Sequence, residues 1–203
     1  MRATIAIDDR LFEEAFRLSG VKTKRELINL SLQEYIRKKR LEHLAGMYAS
    51  GAVDMTCEEL EEYRAMTSEF VLVDTTVWIH FLRGSSPYIE ERLTPLIITD
   101  KVATLPVIIM EILRGARTHR DYEKLYQDLI ALHNFELTGT VWERAWQLAY
   151  SIRKKGVNVP LTDTLIAAAA IEHDALVVHD DRHYEMIAAV TNLKQEYLKP
   201  EPV

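Results

Sequence analysis

The feature that most constrains the fold is a series of short, apolar, β-rich runs separated by longer helical patterns. Phe70-Val71-Leu72-Val73 is the first, and it ends abruptly at Asp74. Further candidate strands fall at 101–104, 134–137, 176–179 and 193–197. The intervals carry helical spacing, clearest in Val141, Ala145, Leu148, Ala149 and Ile152. Strands embedded in helical segments predict an α/β fold, with a mostly parallel sheet covered on both faces. In such sheets the functional crevice lies outside the carboxyl ends of the strands. Acids collect there. Asp74 ends the first strand, Asp181 follows the strand at 176–179, and Asp163 sits in the first turn of a helix introduced by Pro160. Glu111 lies in the helix after Pro106.

Charge arithmetic says what four converging acids would need. Two carboxylates about 4 Å apart repel by roughly 4 kcal/mol at an effective dielectric near 20. A group of four would partly protonate unless cations intervene. Up to two divalent ions balance the set, and oxygen ligands select hard ions, Mg²⁺ or Mn²⁺. Such a pair suits phosphodiester hydrolysis. Single acids prove little, because an Asp after a strand is more often a helix cap. His179 and His183 are four apart, but His179 ends a strand and no HExxH pattern occurs, so no histidine metal site is expected. Trp78, Trp142 and Trp146 read as core residues. Lys154 and Lys155 read equally as a helix C-terminus or as RNA contacts.

Four local contexts occur in order: Val73-Asp74-Thr75-Thr76-Val77-Trp78-Ile79, Glu111-Ile112-Leu113-Arg114-Gly115-Ala116, Thr162-Asp163-Thr164-Leu165-Ile166-Ala167-Ala168 and Asp181-Arg182-His183-Tyr184. Together they resemble the PIN-domain ribonucleases that serve as VapC-type toxins, over residues 70–190. The resemblance implies a parallel sheet between helices and a Mg²⁺- or Mn²⁺-dependent endoribonuclease acting on RNA. It implies Asp74, Glu111, Asp163 and Asp181 as the catalytic, metal-binding acids. Asp74 and Asp163 would be direct ligands, with Glu111 and Asp181 acting through water. Thr76 stands where the family has Ser or Thr, to orient a ligand or water. His80 stands where a carboxylate is common. Asp181 is favoured over its neighbour Asp180. Arg114 would either hold a substrate phosphate or orient Glu111 through a salt bridge.

The first 40 residues have a different character. They carry ten Lys/Arg against six Asp/Glu, although the whole chain is at −6. Residues 2–7 alternate strictly, placing Arg2 and Thr4 on one face and Ala3, Ile5 and Ile7 on the other. A helix follows from about Asp8, with Gly20 as its stop. A second opens at Thr23-Lys24-Arg25-Glu26, a capping-box pattern. A strand and two helices cannot bury a sufficient core, and the strand has nothing in its own unit to pair with. A twofold dimer pairing two such strands resolves both problems. The resulting ribbon, with Arg2 and Thr4 outward, fits the DNA major groove, while the helix start at Thr23, Lys24 and Arg25 offers N–H groups to phosphate. A plain dimerisation module with solvated basic residues is the alternative. The pattern over residues 1–45 resembles the ribbon-helix-helix family, especially the antitoxin half of VapBC-type systems. Ala6 departs from it, standing where such antitoxins often carry a longer reader.

Residues 41–69 carry seven acids, and the connector within them, 46–69, has scattered apolar residues, too greasy for an inert linker. Such a segment orders when laid on a partner surface. In the antitoxins it resembles, this tail blocks the toxin site. Arg64 is then the inhibitory candidate, its guanidinium reaching the acids, unless it is an ordinary surface arginine. The expected organisation is a dimerising DNA-binding domain at 1–45, an inhibitory tail at 46–69 and a PIN-like nuclease at 70–203. A fused toxin–antitoxin follows, binding operator DNA and RNA as at least a homodimer through its N-terminal strand. The rival is a DNA-binding autoregulator with a silent PIN-like domain. The apolar runs are far shorter than the roughly 20 residues that span a bilayer, no signal-peptide core is seen, and a cytoplasmic protein without membrane contact is expected.

Overall fold

The structure, a computed structural model, describes residues 7–46 and 69–199. Residues 2–6 of the strand expected at 2–7 and most of the 46–69 tail, with Arg2, Thr4 and Arg64, therefore lie outside the described residues. Contacts divide the chain into two units, Met1–Lys39 and Arg40–Val203.

The smaller unit holds α1 (Asp9–Ser19) and the start of α2 (Lys24–Gly46). Asp8 caps α1 by accepting from the Leu11 N–H at 3.0 Å, and Gly20 closes it at φ 66°, a left-handed conformation that glycine adopts without strain. The capping box forms as expected. Thr23 Oγ1 accepts from the Glu26 N–H at 3.2 Å, and Glu26 Oε2 accepts from the Thr23 N–H at 3.0 Å. Leu27 is the one buried residue among the described residues of this unit, whereas Leu11 and Leu18 are 65% and 73% exposed.

The larger unit is a five-stranded parallel sheet between helices. Its strands are β1 (Val71–Val73), β2 (Val102–Thr104), β3 (His133–Asn134), β4 (Leu176–His179) and β5 (Gln195–Tyr197), in the order β3-β2-β1-β4-β5. All three residues of β1 are buried, because a central strand covered on both faces has no solvent side. Four strands appear within their expected ranges, β5 beginning only at Gln195, whereas β3 is His133–Asn134 and overlaps the expected 134–137 at Asn134 alone.

The helices of this unit are α3 (Thr75–Arg83), α4 (Pro87–Ile98), α5 (Pro106–Arg114), α6 (His119–Leu129), α7 (Gly139–Lys154), α8 (Leu161–Glu172) and α9 (Arg182–Ala188). Chain order reverses on either side of β1, which pairs with β2 on one edge and β4 on the other. The switch point therefore lies between the carboxyl ends of β1 and β4, where Asp74 and Asp181 follow their strands. Among the described residues no helix is long and apolar enough to cross a membrane.

The end of α2 belongs to this larger unit. Leu41, Leu44 and Ala45 are buried in its core. The buried Asp128 carboxylate receives His43 Nδ1 at 2.8 Å and Arg40 Nη1 at 3.6 Å. Leu44→Ala opens a cavity at a fully buried position, so denaturant unfolding should show a loss of about 2–5 kcal/mol.

Candidate active site

Asp74 is the innermost of the acids, 5% exposed. Its backbone N–H donates to the Val178 carbonyl at 2.9 Å, which ties the end of β1 to β4. Its side chain caps α3 by accepting from the Thr76 N–H at 3.0 Å. The Thr76 hydroxyl donates to the same oxygen at 2.6 Å, and the fully buried Tyr184 hydroxyl donates to the other oxygen, also at 2.6 Å. Three donors thus fix both carboxylate oxygens. Thr76 Oγ1 also accepts from the Asp180 N–H at 3.1 Å, joining the two strand ends through one hydroxyl.

Asp181 caps α9 in the same way, accepting from the His183 N–H at 2.9 Å. The helix-cap role and the site position coincide, because capping turns the carboxylate across the end of its strand. Asp163 lies in the first turn of α8, where the helix dipole favours an anion. Burial pushes the Asp163 carboxyl up to about 6, and the charges of Asp74 and Asp181 push in the same direction. Burial, followed by the Asp74 charge, likewise drives the Tyr184 phenol well above its ordinary value, with smaller contributions from Asp163 and Glu111. Glu111 on α5 accepts from the Thr75 hydroxyl at 2.6 Å, so adjacent threonines at the start of α3 hold two of the acids.

The structure brings a histidine into this group, against the expectation that none would enter it. His183 Nδ1 lies 3.0 Å from Asp163 Oδ2 and 3.0 Å from Asp181 Oδ1. One ligand atom from each of the three residues falls within 4.8 Å of the others. Both His183 Nδ1 and Asp163 Oδ2 are buried without a hydrogen-bond partner. Unpartnered buried donor atoms converging in this way fit a metal ion. The spacing of His179 and His183 was misleading. His179 is buried elsewhere, with Nε2 2.6 Å from Gln195 Oε1 and Nδ1 accepting from the Asp181 N–H at 3.2 Å. Tyr184 also escaped the sequence reading, because its partner lies 110 residues away.

Other expected residues are placed as follows. Asp180 pairs with His80, its Oδ2 3.5 Å from Nε2, and is not among the residues whose ligand atoms converge. Arg114 is exposed at the end of α5, lining a cavity of about 560 Å³ with Met110, Tyr122 and Tyr126. Among the described residues no ion pair joins it to Glu111. Thr23, Lys24 and Arg25 are exposed at the start of α2. Trp78 is core as expected, but Trp142 and Trp146 are 40% and 67% exposed. Helix α7 buries Val141, Ala145, Leu148 and Ile152, which leaves the tryptophans on the neighbouring face.

A parallel sheet with acids gathered at its switch point defines a class, and comparison with known proteins specifies it. Residues 71–190 match the PIN domain, and residues 1–45 match the bacterial antitoxin of type II toxin–antitoxin systems, VapB. The chain belongs to the PIN-domain family, joining a VapB antitoxin domain to a PIN domain in one polypeptide. VapC ribonuclease Mb1587 of Mycobacterium bovis is 32% identical over 134 residues, 61% of this chain and 96% of that protein. Ribonuclease VapC21 of Mycobacterium tuberculosis is 30% identical over 138 residues, 66% of this chain and 96% of that protein. Among solved structures, VapBC2 of Rickettsia felis bound to a promoter DNA fragment aligns with TM-score 0.55 at 18% identity, covering 64% of this chain and 99% of that one. DNA-bound VapBC of Salmonella typhimurium also aligns with TM-score 0.55 at 18% identity, covering 64% of this chain and 98% of that one. At that identity the likeness shows the fold.

Tyr184→Phe removes one donor from a buried carboxylate and leaves the rest of the ring in place. Denaturant unfolding should report a loss of about 1–3 kcal/mol with unchanged far-UV circular dichroism.

Proposed function

We propose that this chain is a self-restrained toxin–antitoxin fusion. Its body (70–203) is a Mg²⁺- or Mn²⁺-dependent endoribonuclease, its tail (46–69) holds that body inactive, and its head (1–45) dimerises and binds operator DNA. The observation that carries the reading is the meeting of Asp163 and Asp181, from separate elements, around His183, with Asp163 Oδ2 buried and making no hydrogen bond. One or two divalent ions held among Asp74, Glu111, Asp163 and Asp181 would supply an activated water and charge stabilisation for phosphodiester hydrolysis. The chain's own groups do the positioning. Tyr184 and Thr76 hold the Asp74 carboxylate, and Thr75 holds Glu111. Arg114, exposed and free of an ion pair to Glu111, is available to an RNA phosphate.

The head reading rests on exposure and sequence. With Leu27 alone buried among its described residues, the small unit leaves Leu11 and Leu18 for a second copy to cover. Strand pairing through residues 2–7 would complete that dimer, presenting Arg2 and Thr4 to DNA bases and Thr23, Lys24 and Arg25 to phosphates. In the tail, Arg64 would replace cation charge among the acids. Because tail and body share a chain, inhibition acts at an effective concentration on the order of millimolar. RNA and operator DNA as ligands put this activity in the cytoplasm.

Excising the body at residue 67 would strip Leu41, Leu44 and Ala45 from its core, so the test keeps the end of α2. Residues 47–66 are replaced by a Gly/Ser linker of equal length, and the variant is incubated with total RNA and Mn²⁺. Discrete new RNA ends should appear, exceeding those from the intact chain by at least about tenfold, and should vanish with EDTA or Asp74→Asn. A folded linker variant that leaves RNA uncut would move the reading to a DNA-binding autoregulator with a silent PIN domain.

A further inference from the structure

The acidic reading leaves His183 without a role. The ring could simply offset charge between Asp163 and Asp181, but the geometry disfavours that. A proton shared between a ring nitrogen and a carboxylate oxygen needs a near-linear approach. His183 Nδ1 lies 3.0 Å from an oxygen of each acid, yet neither approach makes a hydrogen bond, and the nitrogen is buried without a partner. Metal coordination makes a different demand. Donor atoms at about 2.1 Å from one ion, at right angles, lie about 3.0 Å from each other. The separations of Nδ1 from its two carboxylate oxygens match that spacing, and all three donor atoms fall within 4.8 Å of one another.

The local chain also delivers the ring. The Asp181 side chain caps α9 through the His183 N–H, so the ligand carboxylate and the backbone of the histidine are locked together by one 2.9 Å bond. The next residue, Tyr184, is fully buried and anchored to Asp74, which fixes the same turn from its other side.

Resting on the metal-nuclease reading above, we propose that His183 Nδ1 is a direct metal ligand beside Asp163 and Asp181, making a mixed nitrogen–oxygen site that selects Mn²⁺ over Mg²⁺. Imidazole is a softer donor than carboxylate. It strengthens binding of first-row transition ions and adds little for Mg²⁺, which takes oxygen ligands and keeps its water. The histidine therefore sets which ion the site prefers, a property the four acids alone do not provide.

The test is binding of MnCl₂ alone, with MgCl₂ as competitor, to the full-length chain and to its Arg64→Ala variant, in which the tail arginine cannot compete with the ion. Free Mn²⁺ is followed by its electron paramagnetic resonance signal, and bound Mn²⁺ is examined by pulsed methods for coupling to ¹⁴N. Imidazole nitrogen coupling is expected, shifting to ¹⁵N when histidine is labelled. In the Arg64→Ala background, His183→Ala should abolish the coupling and weaken Mn²⁺ about tenfold or more, with Mg²⁺ weakened less than about threefold. His183→Asp should keep ion binding, lose the coupling and narrow the Mn²⁺/Mg²⁺ preference. Mn²⁺ bound without nitrogen coupling, or an unchanged ion preference in both variants, would overturn the histidine assignment alone. Failure of the folded chain to bind either ion, with or without Arg64, would overturn the metal reading beneath it as well.

Discussion

The larger unit is organised around holding like charges together at the end of a sheet. Asp74 is nearly inaccessible to water, and burial, followed by the Asp74 charge, pushes the Asp163 carboxyl up to about 6. An arrangement of this kind costs stability unless each carboxylate is held by donors or a cation. The structure supplies the donors one by one. Tyr184 and Thr76 take Asp74, Thr75 takes Glu111, and the backbone of α9 takes Asp181. Asp163 Oδ2 is left without a hydrogen bond, and that remainder is what a cation would satisfy.

Helix capping and site construction are one device here. Asp74 and Asp181 each end a strand and start a helix, so the interaction that sets the helix start also aims the acid at the switch point. The reach of α2 gives a second economy. Its last residues complete the core of the larger unit, with Asp128 held between Arg40 and His43. The larger unit therefore begins within α2, at Arg40, and the head cannot be removed cleanly at the end of the tail.

Much of this was legible in the sequence, for identifiable reasons. Fully buried β1 and the buried Val177 and Val178 of β4 show as apolar runs, and the acids that follow the strands mark their ends. The capping box at Thr23 and the stop at Gly20 are local signals that the structure reproduces. β3 was placed less well because His133 and Asn134 are both exposed and carry no apolar pattern. The role of His183 was hidden by a tertiary meeting. Its partner Asp163 lies on another helix, while the visible spacing to His179 joins a strand to a helix. Trp142 and Trp146 were misread because helical periodicity gives a face its angle but not its width. The four residues that α7 buries leave both rings outside that face.

The claim on which the account turns is that these carboxylates gather around a divalent ion. Crystals of the Arg64→Ala chain grown with Mn²⁺, measured at the manganese absorption edge, test it most directly. An anomalous peak is expected within coordination distance of Asp163 and Asp181, in the crevice beside Asp74. Well-ordered acids with no peak among them, in crystals equilibrated with excess Mn²⁺, would contradict it.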